Sequence, residues 1–334
     1  MDILSLTAIS GISVGHAHDL EALTGCTVVL CPDGAVGGVD KRGGAQGTRQ
    51  TDALSPLHLV DRAHGIVLSG GSAFGLDCAS GAARYLEERG VGFDVRVARV
   101  PITPAAILFD LGIGRADVRP DAAMGYQACL NASRGPVAEG NVGAGAGATV
   151  GKILGMAQAM KAGLGAVCLA PGENLLVGAL VAVNAFGDVV NPDNGRIIAG
   201  ARRVGSGGPG APDYFADTLE VMRQRLQPGA ENPPSSFASP GEDTVIGVVI
   251  TNARLTKVQA THVAQMAHDG LARTVRPAHT IGDGDTIFAL ATGETPADAN
   301  LVGAYAAEAF AQAVLRAARL ATSAGGLPGL ASFL

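Results

Sequence analysis

Between Gln227 and Asp243 the chain reads QPGAENPPSSFASPGED, and at residue 244 it switches without transition to TVIGVVITNA. The first stretch is proline, serine, glycine and acid. It has little apolar surface to bury, so it is expected to be an exposed, extended linker. The second is a continuous β-branched apolar run, the composition of a buried strand. Any fold for this chain must therefore start a core strand at the end of a loose segment, with Thr244 as the strand's first residue.

The rest of the sequence supplies partners for that strand. Apolar β-type runs fall at Thr27 to Leu30, Gly65 to Leu68, Ala166 to Leu169, Leu176 to Val183 and Thr286 to Ala291. Ala-rich helical stretches alternate with them. One is expected from Asp77 to Arg89, stopped by Gly90. A second opens at Thr256-Lys257-Val258-Gln259, which fits a capping box, and carries Ala260, Val263, Ala264, Ala267 and Leu271 on one face before Pro277 ends it. A third spans about Asp298 to Ala321, with an apolar stripe of Val302, Ala306, Ala309, Phe310, Ala313, Val314, Ala317 and Leu320. This alternation permits an α/β fold with sheets covered by helices. No internal repeat is visible.

Composition narrows the function classes. Charged residues are only 16% of the 334 and the net charge is -6, with the basic residues scattered, which argues against a nucleic-acid or anionic-membrane surface. No apolar run is long enough to span a membrane, and MDILSLTAISGI lacks the basic start of a secretory signal. A soluble cytoplasmic protein is the expectation. Glycine numbers 48 and aromatics are 4%, which suggests layers packed through small side chains and some apolar surface buried between subunits. Five cysteines (26, 31, 78, 129 and 168) without a CxxC pair favour neither a disulfide framework nor a zinc site. His16 and His18 have no carboxylate partner at metal spacing, so no metal and no cofactor is expected.

Threonine at the linker-strand junction has a chemical reading beside its structural one. As a β-branched residue it suits a strand opening. If the chain were cut before it, however, Thr244 would carry a hydroxyl nucleophile and an α-amino base on one residue, the amine having an ordinary pKa of about 7.7–8.0. Cutting requires the same hydroxyl to attack the carbonyl of Asp243. The local pattern alone leaves both readings open.

Six blocks, the junction among them, occur in order: LTAISGISVGHAHD, DKRGGAQGTRQTD, LSGGSAFGLD, GAGAGATVGK, DTVIGVVITNA and GDGDTIFALATG. Together, over nearly the whole chain, they resemble the S58 (P1) peptidase family of self-cleaving N-terminal-nucleophile hydrolases. That family includes aminopeptidases acting on D-residue or β-peptide substrates and endo-type 6-aminohexanoate-oligomer hydrolases. The resemblance implies a four-layer αββα sandwich forming one catalytic domain over residues 1–334. It implies processing between Asp243 and Thr244 into an α-chain of 1–243 and a β-chain of 244–334, with Thr244 as nucleophile. It places Lys152 (in ATVGK) in the site and Asn184 (in VAVNAFGD) in the oxyanion region. Asp283 and Asp285 (in GDGDT) fall on acidic positions that hold the amine and the nucleophile. The DGDT form with a threonine points to the nylon-oligomer hydrolase branch.

The implied reaction is hydrolysis of a small amide or peptide through an acyl ester, in a homo-oligomer. Two positions depart from the pattern. Phe109 stands in the pocket where that branch carries tyrosine, and Asp243 stands where asparagine or another small residue commonly precedes the nucleophile. Two rival functions remain. One is an acyltransferase of the ornithine-acetyltransferase type, and the other is an unprocessed, non-catalytic relative.

Other motifs divide between bland and chemical readings. The glycine run before Lys152 fails as a phosphate loop, because Ala146 replaces the first glycine and Ile153 follows the lysine; its Gly143, Gly145, Gly147 spacing also fails the dinucleotide pattern. Gly70, Gly71 and Ser72 either offer backbone N–H groups to an oxyanion or form the tight turn that opens the helix at Asp77. Asp283 and Asp285, flanking Gly284, read as a turn. Two carboxylates so close also repel, which raises one pKa unless a cation stands between them, and the α-ammonium of a cleaved Thr244 would be such a cation.

Overall fold

The computed structural model describes residues 3–203, 205, 207–208, 210–211, 213–227 and 243–334; most of the expected linker lies outside the described residues. Ten strands form one hydrogen-bonded sheet: β1 (Ile3–Leu4), β2 (Ser13–Asp19), β3 (Thr24–Gly43), β4 (Thr48–Arg49), β5 (Arg62–Ser69), β6 (Ala105–Ile107), β7 (Leu164–Leu169), β8 (Val177–Asn184), β9 (Thr244–Ala253) and β10 (Gly284–Thr295). The order is β1-β7-β8-β9-β10-β3-β5-β6-β4, with β2 also on β3. Among the described residues five α-helices accompany them: α1 (Cys78–Glu87), α2 (Ala122–Leu130), α3 (Thr218–Arg225), α4 (Lys257–Thr274) and α5 (Ala299–Arg319).

Four layers follow from the way side chains alternate along the strands. In β9, Val245 and Val249 share a core with Ala260, Val263, Phe310 and Val314 of α4 and α5. Ile246, Val248 and Ile250 point the other way, into a second core with Val29 of β3 and with Ile66 and Leu68 of β5. On β3 and β5 the alternate residues Cys26, Val28, Leu30 and Val67 meet Ala79, Ala82 and Leu86 of α1 and Ala128 of α2. The stack therefore runs α4/α5, sheet, sheet, α1/α2, the expected αββα arrangement.

The two sheets are not separate ladders. β3 pairs with β10 through Val36–Gly43 and with β5 through Cys26–Leu30, and its register shifts between Leu30 and Ala35. One long irregular strand thus belongs to both sheets.

β9 is buried along its whole length, antiparallel to β8 and parallel to β10. A parallel neighbour requires a crossover, which α4 provides. The capping box at Thr256 and Gln259 is formed, and the face from Ala260 to Leu271 is fully buried. α4 ends at Thr274, before Pro277. α5 is capped by Asp298, whose carboxylate accepts from the N–H groups of Asn300 and Leu301. It stops at Arg319, so Leu320 falls past the helix and is 40% exposed instead of completing the stripe. α1 is slightly shorter than expected: Asp77 falls in a 3-10 segment, Ser72–Asp77, and the helix ends at Glu87, before Glu88 and Arg89.

Small side chains let the layers close. A Cβ on Gly165 of β7 would stand 2.0 Å from the Ala313 carbonyl of α5, so that strand and helix touch through backbone. All five cysteines are buried as free thiols. Among the described residues no helix is long and apolar enough to cross a membrane.

Candidate active site

Because β9 lies between β8 and β10, its first residue sits where three strand ends converge. Asn184, the last residue of β8, is opposite Thr244 in the ladder. Asp243 bridges Asp283 just ahead of β10. Residues from ATVGK, VAVNAFGD, the linker junction and GDGDT, distant in sequence, are thereby brought together. Thr244 and Asp243 are 2% and 1% exposed, and Asp283 and Asp285 are 3% and 2%.

The junction peptide is held from both sides. The Thr244 hydroxyl donates to the Asp243 carbonyl oxygen at 2.5 Å, and the Gly284 N–H donates to the same oxygen at 2.9 Å. A nucleophile therefore stands beside the carbonyl that precedes it, and that carbonyl is already polarised by a backbone donor. Position 284 needs glycine: an added Cβ would meet the Ala45 carbonyl at 2.6 Å and the Thr244 hydroxyl at 3.0 Å.

On the β8 side, Lys152 Nζ lies 2.9 Å from Asp243 Oδ1, an ion pair with side chains 7% and 2% exposed. The same ammonium donates to Asn184 O at 3.0 Å and Asn184 Oδ1 at 3.1 Å. Asn184 is oriented in turn by Thr149, whose N–H and hydroxyl reach Oδ1 at 3.0 and 3.2 Å, and by the Phe109 carbonyl, which accepts from Nδ2 at 2.9 Å. Phe109 thus enters the site through its backbone.

On the β10 side, Asp285 Oδ1 accepts the Val245 N–H at 2.7 Å. Its Oδ2 lies 2.7 Å from His279 Nδ1 and accepts the His279 N–H at 3.2 Å. Asp283 Oδ2 accepts the Thr280 N–H at 2.6 Å. Burial, with added repulsion from Asp285 and Asp243, lifts the Asp283 carboxyl to about 7 despite that bond. Asp283 is thus the member of the pair driven toward its neutral form.

Behind the site lies a buried lysine that nothing in the sequence singled out. Lys161 Nζ donates to the Ala146 and Ala148 carbonyls at 2.9 and 2.7 Å. Burial pulls it down to about 7, against the attraction of Asp110. Asp110 is itself raised by burial, while Thr24 and the Gly71 N–H bond its carboxylate at 2.7 Å each.

That contact bears on the glycine turn. The N–H groups of Gly70, Gly71 and Ser72 donate to Gly25 O, Asp110 Oδ1 and Leu108 O respectively. These donors hold the turn, with Gly71 and Ser72 both at positive φ. His16 and His18 bond Thr27 Oγ1 and the Gly143 N–H. Gly284, His279 and Thr149 are the contacts that sequence reasoning missed. His279 had one usable signal, its nearness to the two aspartates.

The comparisons with known proteins agree on one family. The model of peptidase family S58 matches residues 5–331. An uncharacterized aminopeptidase of Mycobacterium tuberculosis is 42% identical over 350 residues, covering 97% of this chain and 96% of its own. A 6-aminohexanoate-oligomer endohydrolase of Kocuria sp. is 32% identical, covering 92% of this chain and 84% of its own. Among solved structures, the L-aminopeptidase D-Ala-esterase/amidase of Ochrobactrum anthropi, described as a variant of the Ntn hydrolase fold, superposes with TM-score 0.69 at 19% identity, covering 97% of this chain and 88% of its own. A Burkholderia sp. beta-aminopeptidase gives 0.64 at 22%, covering 98% and 90%. With a family model spanning nearly its whole length and relatives above 30% identity, the chain belongs to peptidase family S58 and is a hydrolase of peptide or amide bonds.

Proposed function

We propose that the chain cuts itself between Asp243 and Thr244 and that Thr244, as the new N-terminus of residues 244–334, hydrolyses small amides or peptides. The observation that carries this is the junction geometry: the Thr244 hydroxyl and the Gly284 N–H meet at one carbonyl oxygen. In self-cleavage Thr244 Oγ1 attacks the Asp243 carbonyl carbon and the C–N bond breaks. The hydroxyl proton ends on the released α-amine, and water then hydrolyses the ester to leave the Asp243 carboxylate.

Turnover repeats the same chemistry. The α-amine takes the hydroxyl proton as Oγ1 attacks the substrate carbonyl, then returns it to the leaving amine, and water resolves the acyl ester. The Gly284 N–H, already on the junction carbonyl, would hold the developing oxyanion, with Asn184 beside it and Lys152 adding positive charge. Asp285 fixes the Val245 N–H and thereby the start of β9. Asp283, next to the junction, receives the new α-ammonium. A homo-oligomer completes the reading, and light scattering measures it.

The test is a denaturing gel with intact mass on fresh protein, wild type beside Thr244→Ala. Two fragments, the smaller starting at Thr244, are expected from wild type, and an uncut chain from the variant. A wild-type chain that stays whole after long incubation overturns the proposal.

A further inference from the structure

In self-cleavage, residue 243 is the acyl group. Any substrate cleaved in trans must bring its carbonyl to the same hydroxyl, so its acyl residue must occupy the space that Asp243 fills in the continuous chain. With Thr244 only 2% exposed, that space is reached only when Asp243 has moved out of it.

The space is charged. Asp243 Oδ1 sits 2.9 Å from Lys152 Nζ, and both side chains are nearly closed off from water. The ammonium is aimed by groups that do not depend on Asp243, namely Asn184 O and Oδ1, and Asn184 is held by Thr149 and Phe109. Moving Asp243 away takes a buried ion pair from Lys152, and a neutral side chain at the same place would not replace the carboxylate. On the far side of Thr244, Asp285 is taken up by the Val245 N–H and His279, and Asp283 stands next to the α-ammonium that cleavage creates, which limits their repulsion of an incoming acid.

We infer that the processed enzyme selects amides whose acyl residue is acidic and of aspartyl length, its carboxylate seated on Lys152 where the Asp243 carboxylate sat before cleavage. This rests on the Thr244 reading and adds the substrate class to it. Lys152 becomes the specificity-determining residue.

The experiment measures kcat/KM of the processed wild-type enzyme for the p-nitroanilides of aspartate, asparagine, alanine and lysine. Aspartyl is expected to exceed asparaginyl by about tenfold or more, the scale of one charge-assisted hydrogen bond. Lys152→Gln is expected to bring that ratio near one, whatever it does to the overall rate. Because Lys152→Gln can also block processing, wild type is titrated in parallel with free L-aspartate and L-asparagine by calorimetry, which needs no turnover; aspartate is expected to bind tighter.

Asparaginyl or alanyl substrates cleaved as fast as aspartyl overturn the inference. So does equal, or no, binding of the two amino acids. A chain that stays whole on the gel overturns the Thr244 reading and this inference with it. A processed chain indifferent to the acid overturns this inference alone.

Discussion

The carboxylates on the two sides of Thr244 are in opposite electrostatic situations. Asp243 is paired with the Lys152 ammonium at 2.9 Å. Asp283 is equally buried but, among the described residues, makes no ion pair; its oxygen takes the Thr280 N–H, and burial and its acidic neighbours raise it to about 7. The β8 side pairs its carboxylate with a cation in the continuous chain, while the β10 side crowds two carboxylates together, one of them without an ion pair among the described residues. Cleavage at 243–244 would reverse this. It would create a cation beside Asp283 and free the Asp243 side chain to leave Lys152. On the proposed function, the precursor is built so that each product of cleavage improves the side that catalysis needs next.

The largest effect is expected from Lys152→Met in an uncleavable Thr244→Ala background. Removing one member of a buried pair leaves the other uncompensated, at a cost of about 3–5 kcal/mol. Adding Asp243→Asn should recover most of that loss, and chemical denaturation of the single and double variants measures the coupling. Equal stability of the two would show that the β8 side is not balanced by this pair.

The β10 side predicts a pH dependence of opposite origin. An aspartate raised from 3.8 to about 7 in the folded chain binds its proton more tightly there than when unfolded. Its stabilising contribution is complete below about 4, falls as pH rises toward about 7, and is flat above, with a total change on the order of a few kcal/mol. Thr244→Ala should follow this profile, and adding Asp283→Asn should flatten it. Denaturation midpoints across that pH range decide the matter, and a Thr244→Ala profile unchanged by Asp283→Asn would remove the crowded-carboxylate side of the comparison.

Between the two sides stands Gly284, whose N–H touches the junction carbonyl. Gly284→Ala forces a methyl group against the Ala45 carbonyl and the Thr244 hydroxyl. A loss of about 1–3 kcal/mol and slower processing are expected, read by melting and by the time course of fragment appearance.

How much of this could be read from the sequence depended on the range of the interactions. β9 and α4 were legible because an apolar run and a capping box are written in consecutive residues, and burial followed the pattern. β3 was not: its double role is set by pairing with two distant strands, and only Thr27 to Leu30 stood out. Asp283 and Asp285 read as a turn by composition; their closeness in sequence signalled repulsion, and the family resemblance marked them as chemistry. Lys161 and Asp110 were silent because a charged residue looks exposed until the fold shows otherwise. Gly70, Gly71 and Ser72 had two readings, and long-range partners, Gly25, Asp110 and Leu108, take up all three N–H groups.

The smallest effect expected is at His279, and it sharpens what the β10 side does. The ring stands 2.7 Å from Asp285 Oδ2, while the other oxygen of that carboxylate holds the Val245 N–H. His279 therefore acts on the nucleophile only through Asp285, as a positioning residue. It also adopts φ 59, a left-handed conformation that asparagine tolerates better than most residues. His279→Ala should lose the side-chain bond and strain the turn, lowering kcat by about tenfold, the scale of one hydrogen bond to a charged group. His279→Asn keeps an amide donor near Nδ1 and the backbone conformation, so it should recover most of the rate. KM should move little in either variant, because no substrate contact is lost. If His279→Asn is as slow as His279→Ala while both fold, the ring itself is required, and Asp285 is held by more than this hydrogen bond.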